Sequence, residues 1–375
     1  MPRVMIIGGG IGGLTAAVAF RRRGWDAAVY EAAPEFKPVG KGIWVQPNAM
    51  QVLARLGLAD AVARAGLPVE RIQLRTSSGA VLSTVDLDAV TAEYGHSVVS
   101  VHRAELVEAL AAGLPPDALH LGRRFTGFTL EPDRVVARFE DGGEAAADLL
   151  VGADGLRSAV REQLFPGVPL RYSGQTCYRG VSAVDLPAGL SNTCWEVWGG
   201  RYRFGFSAIG PRQVYWFAPV VSPAGAAGSF RKEWYAGFPE PIPAILAAAD
   251  PAEVIQTDLY DFAPIPQWHA GRVVLLGDAA HAMTPNLGQG GAQAIEDAFV
   301  LAEQVAGRDS LAEALDAYER VRRPKATWVV NTAWRLGKLA HWQNAPARWL
   351  RDRALRWLPG RVARAQTRRL YRLGY

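Results

Sequence analysis

A glycine-rich turn near the N-terminus constrains the fold of this 375-residue chain more than any other feature. Residues Val4–Ile7 form a short apolar run, typical of a buried parallel strand, and Leu14–Arg23 have the pattern of a helix. The segment Gly8-Gly9-Gly10-Ile11-Gly12-Gly13 joins them, and a second strand, Ala27–Tyr30, ends at Glu31. This order predicts a βαβ unit of about 30 residues.

The glycines at positions 8, 10 and 13 have the spacing of a nucleotide-binding turn. Gly8 permits a tight turn, Gly10 lets the backbone approach a pyrophosphate, and Gly13 lets helix and strand pack closely. The free N–H groups and the dipole of the helix N-terminus favour phosphates. Glu31 can accept hydrogen bonds from ribose hydroxyls, and its charge would repel a 2′-phosphate. The site therefore suits FAD or NAD better than NADP.

Two later segments also place an acid at the carboxyl end of an apolar strand. Asp154 follows Leu149–Val151, and Asp278 follows Arg272–Leu276. Ligands lie at this end of the strands in open α/β sheets, although Asp154 is also explained as an ordinary helix N-cap. The glycine-rich segment 283–291 then leads into a helix, whose N-terminus also suits anions.

Other segments separate these nucleotide-binding motifs. Residues 69–86 predict a hairpin, 172–221 a mostly antiparallel sheet and 226–248 a helix. From Gly290 almost to the end the pattern is helical, with breaks predicted at the prolines 324, 346 and 359. The predicted fold is α/β, with a discontinuous Rossmann-like nucleotide-binding domain, an inserted antiparallel-sheet domain and a C-terminal helical region.

Charge and cysteine content narrow the class of protein. The chain carries a net charge of +5, but residues 320–375 hold 15 Lys or Arg and one acid, Asp352, so this region carries +14 and the rest −9. Such asymmetry indicates an anionic partner or surface for the basic end. The two cysteines, Cys177 and Cys194, and an N-terminus without a signal-peptide pattern predict a cytoplasmic protein.

Four tryptophans of the basic region are spaced at helical intervals, at positions 334, 342, 349 and 357. One interpretation is a helical layer packed on the nucleotide-binding domain, with its basic face in solvent. The alternative is peripheral contact with the inner face of a membrane, with Trp at the interface and Arg on anionic lipid. We do not expect nucleic-acid binding.

The three motifs, in this order and at these separations, resemble those of the flavoprotein aromatic hydroxylases, the single-component FAD monooxygenases of the para-hydroxybenzoate hydroxylase type. The resemblance runs from residue 3 to about 330 and is least specific across 167–268. It implies an FAD-binding domain formed by residues 1–67, 97–167 and 269–306. The antiparallel-sheet substrate domain would comprise 68–96 and 168–268, followed by the basic helical region 307–375.

The resemblance also implies which residues bind FAD. Those expected at the pyrophosphate and the adenosine are Gly8, Gly10, Ile11, Gly12, Gly13 and Glu31. Those expected nearer the ribityl chain and the isoalloxazine ring are Gln46, Asn48, Arg103, Asp154, Asp278, Pro285, Gly288, Gln289, Gly290 and Gly291. Asp154 lies in a motif that the family links to both FAD and NAD(P)H, and Pro285 would border the dioxygen pocket.

The implied reaction uses NADPH or NADH and dioxygen to hydroxylate a small aromatic or heteroaromatic substrate through a flavin C(4a)-hydroperoxide. The chain has no second Gly-x-Gly-x-x-Gly motif, which fits a family in which NAD(P)H docks transiently. Two alternatives stay open. One is epoxidation or hydroxylation of a lipophilic terpenoid, carotenoid or quinone-like substrate at a membrane surface. The other is a flavin-binding reductase or redox partner without oxygenase turnover.

The candidate substrate-site residues lie in the predicted sheet and in the glycine-rich loop. The spacing of Arg203 and Tyr215 resembles that of an arginine and a tyrosine in FAD-dependent urate hydroxylase, and Pro285 completes the predicted catalytic set. We expect a structural role for His281, because it belongs to the flavin motif itself. The histidines form no metal-ligand pattern, so no metal is expected. The oligomeric state stays open.

Overall fold

The computed structural model describes residues 1–36, 41–226, 228, 230–357 and 360–375. The strands of the first half are β1 (Arg3–Ile7), β2 (Asp26–Tyr30), β3 (Gly42–Val45), β4 (Gly66–Val69), β5 (Arg71–Thr76), β6 (Val81–Asp86), β7 (Val98–His102), β8 (Leu119–His120), β9 (Phe125–Leu130), β10 (Val135–Phe139), β11 (Glu144–Ala147) and β12 (Leu149–Gly152). The later strands are β13 (Leu170–Ala183), β14 (Thr193–Gly199), β15 (Tyr202–Gly210), β16 (Gln213–Val221), β17 (Ile255–Phe262), β18 (His269–Ala270) and β19 (Val273–Leu275).

The α-helices alternate with the strands in the first half and dominate the C-terminal region. They are α1 (Ile11–Arg22), α2 (Pro47–Arg55), α3 (Ala59–Ala65), α4 (Asp88–Tyr94), α5 (Arg103–Ala111), α6 (Ala159–Leu164), α7 (Ile242–Ala247), α8 (Asp278–His281), α9 (Gly290–Ala306), α10 (Leu311–Ala340), α11 (Ala345–Arg356) and α12 (Gly360–Tyr371).

A six-stranded sheet with the order β18-β19-β12-β1-β2-β8 forms the nucleotide-binding half. The apolar strand β1 pairs in parallel with β2 on one side and with β12 on the other, and β12 pairs in parallel with β19. The carboxyl ends of these four strands therefore meet at one edge of the sheet. The helices α1 and α9 cover one face and bury a continuous apolar core.

The second large sheet has seven strands in the order β17-β13-β16-β15-β14-β5-β6. Side chains alternate between its two faces. One face buries an aromatic cluster that includes Phe204, Phe206, Trp216 and Tyr235. The opposite face lies against the nucleotide-binding half, where the indole N–H of Trp44 donates a 2.8 Å hydrogen bond to the Ser207 hydroxyl. The two halves thus enclose a site between this face and the six-stranded sheet.

Two of the predicted features of the helices were wrong. Residues 226–248 contain one 3₁₀ turn and the short α7, because Pro239 and Pro241 cannot continue a helix. Pro324 lies inside the continuous helix α10. Proline removes one main-chain hydrogen bond, and the packing of α10 on α9 around Tyr318 and Ala326 outweighs this loss. The break predicted at Pro359 lies outside the described residues.

Candidate functional site

The glycine turn has one open position between two crowded ones. Gly8 adopts φ +108°, and a Cβ there would lie 2.5 Å from the carbonyl oxygen of Ala153. A Cβ on Gly13 would overlap the carbonyl oxygen of Gly8, so the helix packs against the strand as closely as a glycine allows. At Gly10, by contrast, no atom lies within 4 Å of the Cβ position. This open backbone surface is the space that a pyrophosphate requires.

The N-terminus of α1 leaves its first N–H groups available. The N-cap residue is Gly10, which provides no side-chain cap, and the first turn contains no acid. Glu31 lies beside the turn, where its carboxylate accepts hydrogen bonds from the main-chain N–H of Gly9 at 2.6 Å and of Ala33 at 2.8 Å. These bonds hold the carboxylate at the end of β2, where an adenosine ribose would lie.

The glycine-rich loop at 285–291 faces strand β3 and the start of α1. A Cβ on Gly288 would lie 3.2 Å from Nε2 of Gln46, and a Cβ on Gly291 would lie 3.3 Å from the side chain of Ile43. The same position on Gly291 is 3.6 Å from the side chain of Ile11. The structure therefore brings together the predicted residues of the first motif, of β3 and of the loop.

Asp278 begins α8 at the carboxyl edge of the sheet. Its side chain is exposed although protein surrounds it, as expected at the floor of a recess. Desolvation by the surrounding protein raises the pKa of Asp278, and the positive charges of His281 and Arg103 lower it. Arg103 is itself exposed at the first position of α5. An open carboxylate and an open guanidinium thus share one recess next to the loop, where a Cβ on Gly290 would lie 3.8 Å from Oδ1 of Asp278.

Asp154 supports the start of α6. Its carboxylate accepts hydrogen bonds from the Ser158 hydroxyl at 2.5 Å and from the main-chain N–H of Val160 at 3.1 Å, and the Ser158 oxygen accepts from the N–H of Arg161. Burial raises the pKa of Asp154, and these hydrogen bonds lower it. The N-cap of α6 is Ser158 and not Asp154, so the capping prediction was wrong in its residue: Asp154 supports the cap from four positions upstream.

A buried polar network lies directly behind the loop. Arg322 donates to Oε2 of Glu296 at 2.6 Å and to Oδ1 of Asp297 at 2.7 Å, and His281 contacts Oδ2 of Asp297 at 2.5 Å. Burial raises the pKa of Asp297, but the positive charges of His281 and Arg322 bring it to about 2. Asn48 donates to Glu296 at 2.6 Å and extends the network towards β3.

Two predicted cofactor residues have side chains that contact other parts of the protein: Gln289 contacts this network, and Gln46 contacts the C-terminal helix α12. The side-chain oxygen of Gln289 accepts from Asn48 at 3.1 Å, so this side chain points into the network. Gln46 accepts a 3.0 Å hydrogen bond from the hydroxyl of Tyr371 in α12. The hydroxyl of Tyr375 donates to Glu296 at 3.2 Å. The last residues of the chain therefore pack on the nucleotide-binding half.

Arg203 and Tyr215 lie on the same face of the seven-stranded sheet but contact different partners. Tyr215 is opposite Ser207, four residues along β15 from Arg203, so about 13 Å of strand separates the two positions. Arg203 is buried, pairs with Glu196 and donates to Oδ1 of Asn286 at 2.8 Å. This bond places it beside Pro285.

Tyr215 instead interacts with Arg179 of β13. The guanidinium of Arg179 lies close enough to interact electrostatically with the Tyr215 hydroxyl, and burial raises the pKa of Tyr215 to about 12. The aromatic surface continues through Phe217, whose ring centre is 5.9 Å from those of both Tyr215 and Trp44. The register of β13 and β16, which sets Arg179 opposite Phe217, is the signal that could have identified this wall.

The remaining candidate residues are buried. Cys177 and Cys194 are both buried and free. His281 is buried and packs against Trp268 in a tilted arrangement, with ring centres 5.1 Å apart. Within the described ranges, no three His, Cys, Asp or Glu side chains come together as a metal site.

Comparisons with known proteins agree with this geometry. Residues 1–333 match the FAD binding domain family. The chain is 42% identical to aurachin C monooxygenase/isomerase of Stigmatella aurantiaca over 371 residues, which cover 98% of this chain and 97% of that protein. It is 34% identical to 2-heptyl-3-hydroxy-4(1H)-quinolone synthase of Pseudomonas aeruginosa, with 98% and 97% covered.

A solved structure shares the whole architecture. The crystal structure of Klebsiella pneumoniae HpxO with FAD and uric acid superposes with a TM-score of 0.91 at 30% identity, covering 98% of this chain and 96% of that one. The predicted fold class, cofactor and type of enzyme are therefore confirmed. The chain belongs to the FAD binding domain family and is an NAD(P)H-dependent FAD monooxygenase, of the kind that hydroxylates small aromatic and heteroaromatic rings.

Proposed function

We propose that the chain oxygenates a bicyclic heteroaromatic ring of the 4-quinolone type that carries an apolar side chain. The observation that carries this proposal is the wall of Trp44, Phe217, Tyr215 and Arg179 beside the loop at 285–291. Trp44 and Phe217 are half-buried, so part of each ring is open to a planar ligand. The names of the two full-length relatives, a quinolone synthase and an aurachin C monooxygenase, favour a quinolone among planar rings.

Each group on the wall suits one feature of such a ring. Aromatic side chains stack on a planar bicycle, in edge-to-face or offset arrangements. A 4-quinolone has one carbonyl oxygen, and the guanidinium of Arg179, which stays charged, is a suitable donor to it. The hydroxyl of Tyr215 stays protonated near neutral pH because its pKa is raised to about 12, so it can act as a second donor.

We propose that FAD lies between the glycine turn and the loop at 285–291. Gly8, Gly10 and Gly13 would cradle its pyrophosphate, and Asp278 with Arg103 would hold the ribityl chain. When bound, FAD takes electrons from NAD(P)H and activates dioxygen for insertion into the substrate. The residues of this chain position the substrate ring and keep water out of the site.

Asp278→Ala is expected to weaken FAD binding roughly 10- to 100-fold, because it removes charge-assisted hydrogen bonds to the cofactor. FAD retained after gel filtration, together with titration of the apoprotein by fluorescence quenching, measures the change. Asp133→Ala, in the exposed turn between β9 and β10, is the matched control and should keep wild-type affinity. An Asp278→Ala protein that held FAD as tightly as the wild type would refute this placement.

We also propose that the enzyme is cytoplasmic and meets its substrate at the membrane surface. None of the described helices combines the length and apolar character needed to cross a bilayer. Contact with a membrane would therefore be peripheral, through the basic region 320–375. An alkyl-substituted quinolone partitions into lipid, so such contact would bring the enzyme to its substrate.

The substrate proposal is tested by anaerobic mixing of the FAD-loaded enzyme with NADPH or NADH. The loss of visible flavin absorbance is followed with 2-heptyl-4(1H)-quinolone, unsubstituted 4(1H)-quinolone, urate or 4-hydroxybenzoate present. We expect the alkyl quinolone to accelerate this loss roughly tenfold or more, since the correct ring completes the site. Equal rates with all four compounds, or acceleration by urate alone, would overturn the proposal.

A further inference from the structure

We propose that the outward face of α11 docks the protein on an anionic phospholipid surface. This face consists of Trp349, Leu350, Arg353, Arg356 and Trp357, and is called the α11 face below. Through this face the protein would make the membrane contact proposed for the basic region 320–375. It does not depend on the identity of the substrate.

The helix α11 exposes large apolar side chains and buries an arginine, the reverse of a helix packed on a protein. Surface helices normally bury their apolar side and expose their charged side. In α11 the side chain of Arg351 is buried, with 3% of its surface exposed, whereas Trp349 and Leu350 are 64% and 60% exposed. Trp357, at the end of the helix, is 75% exposed. Clustered exposed apolar residues of this size mark an interaction surface.

The inward side of α11 is held to the protein by Arg351. Arg351 donates to the main-chain carbonyl of Ala340 at 2.9 Å and lies 5.1 Å from the ring centre of Trp198. It also pairs with Asp352 at 2.7 Å. Asp352, the one acid in residues 320–375, borders the recess between Trp349 and Trp357, and its charge is balanced by Arg351. These contacts fix the orientation of the helix, so the Trp side chains cannot turn inward by rotation of α11.

The positive charge around the exposed tryptophans favours an anionic lipid surface as the partner of this face. Arg353 lies between the two tryptophans, 5.6 Å from the ring centre of Trp349 and 5.8 Å from that of Trp357. The next helix, α12, adds exposed arginines at positions 361, 364, 368 and 369, and Arg372 follows it. Tryptophan with arginine is the composition of helices that lie in the headgroup region of anionic bilayers.

A second copy of the chain fits this surface less well. Residues 345–375 carry nine arginines and one acid, a net charge of +8. Bringing two such surfaces together would oppose like charges, which disfavours association. An anionic lipid surface has the opposite charge, and its headgroup region accepts tryptophan rings.

The test is flotation of the FAD-loaded protein with vesicles of phosphatidylcholine alone or of phosphatidylcholine with phosphatidylglycerol. We expect binding to the vesicles that contain phosphatidylglycerol, and release from them at high salt. Arg353→Gln with Arg356→Gln should weaken this partition about 20-fold or more, from the usual contribution of each arginine near an anionic surface. Trp349→Ala with Trp357→Ala should weaken it at least as much, whereas Trp→Phe at both positions should retain binding.

The matched control is Arg124→Gln with Arg134→Gln, which removes the same charge from exposed positions on the β9–β10 side of the molecule. This control should bind vesicles within about twofold of the wild type, since its arginines lie outside the surface. FAD content and turnover of a water-soluble quinolone should be unchanged in every α11 variant, which separates this inference from the substrate proposal.

Three results would overturn the inference. The first is failure of the wild type to float with vesicles that contain phosphatidylglycerol. The second is binding by the tryptophan double variant that equals that of the wild type. The third is a wild-type dimer, seen by light scattering, that the tryptophan variant converts to a monomer while neither protein binds vesicles. That result would assign the α11 face to contact between copies of the chain.

Discussion

Arg322→Met is expected to lower the free energy of unfolding by about 3–5 kcal/mol, because it removes the buried cation that Glu296 and Asp297 share. Lys325 and His281 then remain as the charged partners of Glu296 and Asp297. Arg322 is 1% exposed and contacts Glu296 and Asp297 at 2.6 and 2.7 Å. Methionine keeps much of the side-chain volume, so the loss of charge dominates. Urea denaturation of the FAD-loaded protein measures the change. Arg320→Met, at an exposed position on the same helix, should change stability by less than about 0.5 kcal/mol.

The same variant should change how stability depends on acid. The pKa of Asp297 in the folded protein is about 2, below the unfolded value of about 3.9. A lowered carboxyl pKa stabilises the protein above the unfolded value, and this contribution is lost as the pH falls from about 4 towards 2. Without Arg322 the folded pKa of Asp297 rises, so this part of the acid sensitivity should diminish. A variant with wild-type stability would contradict the assigned network.

Arg203→Gln is expected to lower kcat/KM about 100-fold, the cost typical of a misplaced reacting group, while FAD stays bound. Arg203 connects the sheet to the loop at 285–291 through Asn286, and its charge is balanced by Glu196. Glutamine cannot pair with Glu196, so the loop beside Pro285 loses this support. We propose that Arg203 is a positioning residue, and that the variant oxidises NAD(P)H with less oxygen transferred to substrate.

The ratio of product to NAD(P)H consumed distinguishes positioning from a general loss of structure. Arg203→Lys should recover part of the coupling, because it restores the charge next to Glu196. Arg201→Gln, at an exposed position two residues away, is the matched control and should behave as the wild type. Full coupling and normal kcat/KM in Arg203→Gln would show that the pair with Asn286 has no part in the reaction.

The features that could be predicted from sequence are those set by local chain geometry. The strand, glycine turn and helix around Gly10 follow from short-range conformational preferences, and so does an acid at the end of a buried strand, such as Asp278. These motifs also occur in a family-specific order, which made the fold class and FAD predictable. The family match confirms both. The roles of the single residues stay predictions for the experiments above.

The features that sequence did not reveal depend on contacts between distant elements. Glu296 and Arg322 are 26 residues apart, and only the packing of α10 on α9 brings them together. The acids Glu296 and Asp297 within the apolar stretch of α9 were a signal that a cation must face them. The Trp spacing of the tail predicted helical intervals, but the four tryptophans are divided between α10, the segment after it and α11 with its C-cap, and the orientation of α11 depends on Arg351 packing inward.

The most direct test of the central claim is turnover of 2-heptyl-4(1H)-quinolone under isotopically labelled dioxygen, with mass spectrometry of the product. An FAD monooxygenase that acts on this ring should place one labelled oxygen atom in each product molecule and consume one NAD(P)H for it. NAD(P)H oxidation that yields only peroxide with every quinolone would contradict the substrate proposal. Product oxygen derived from water would contradict the oxygenase itself.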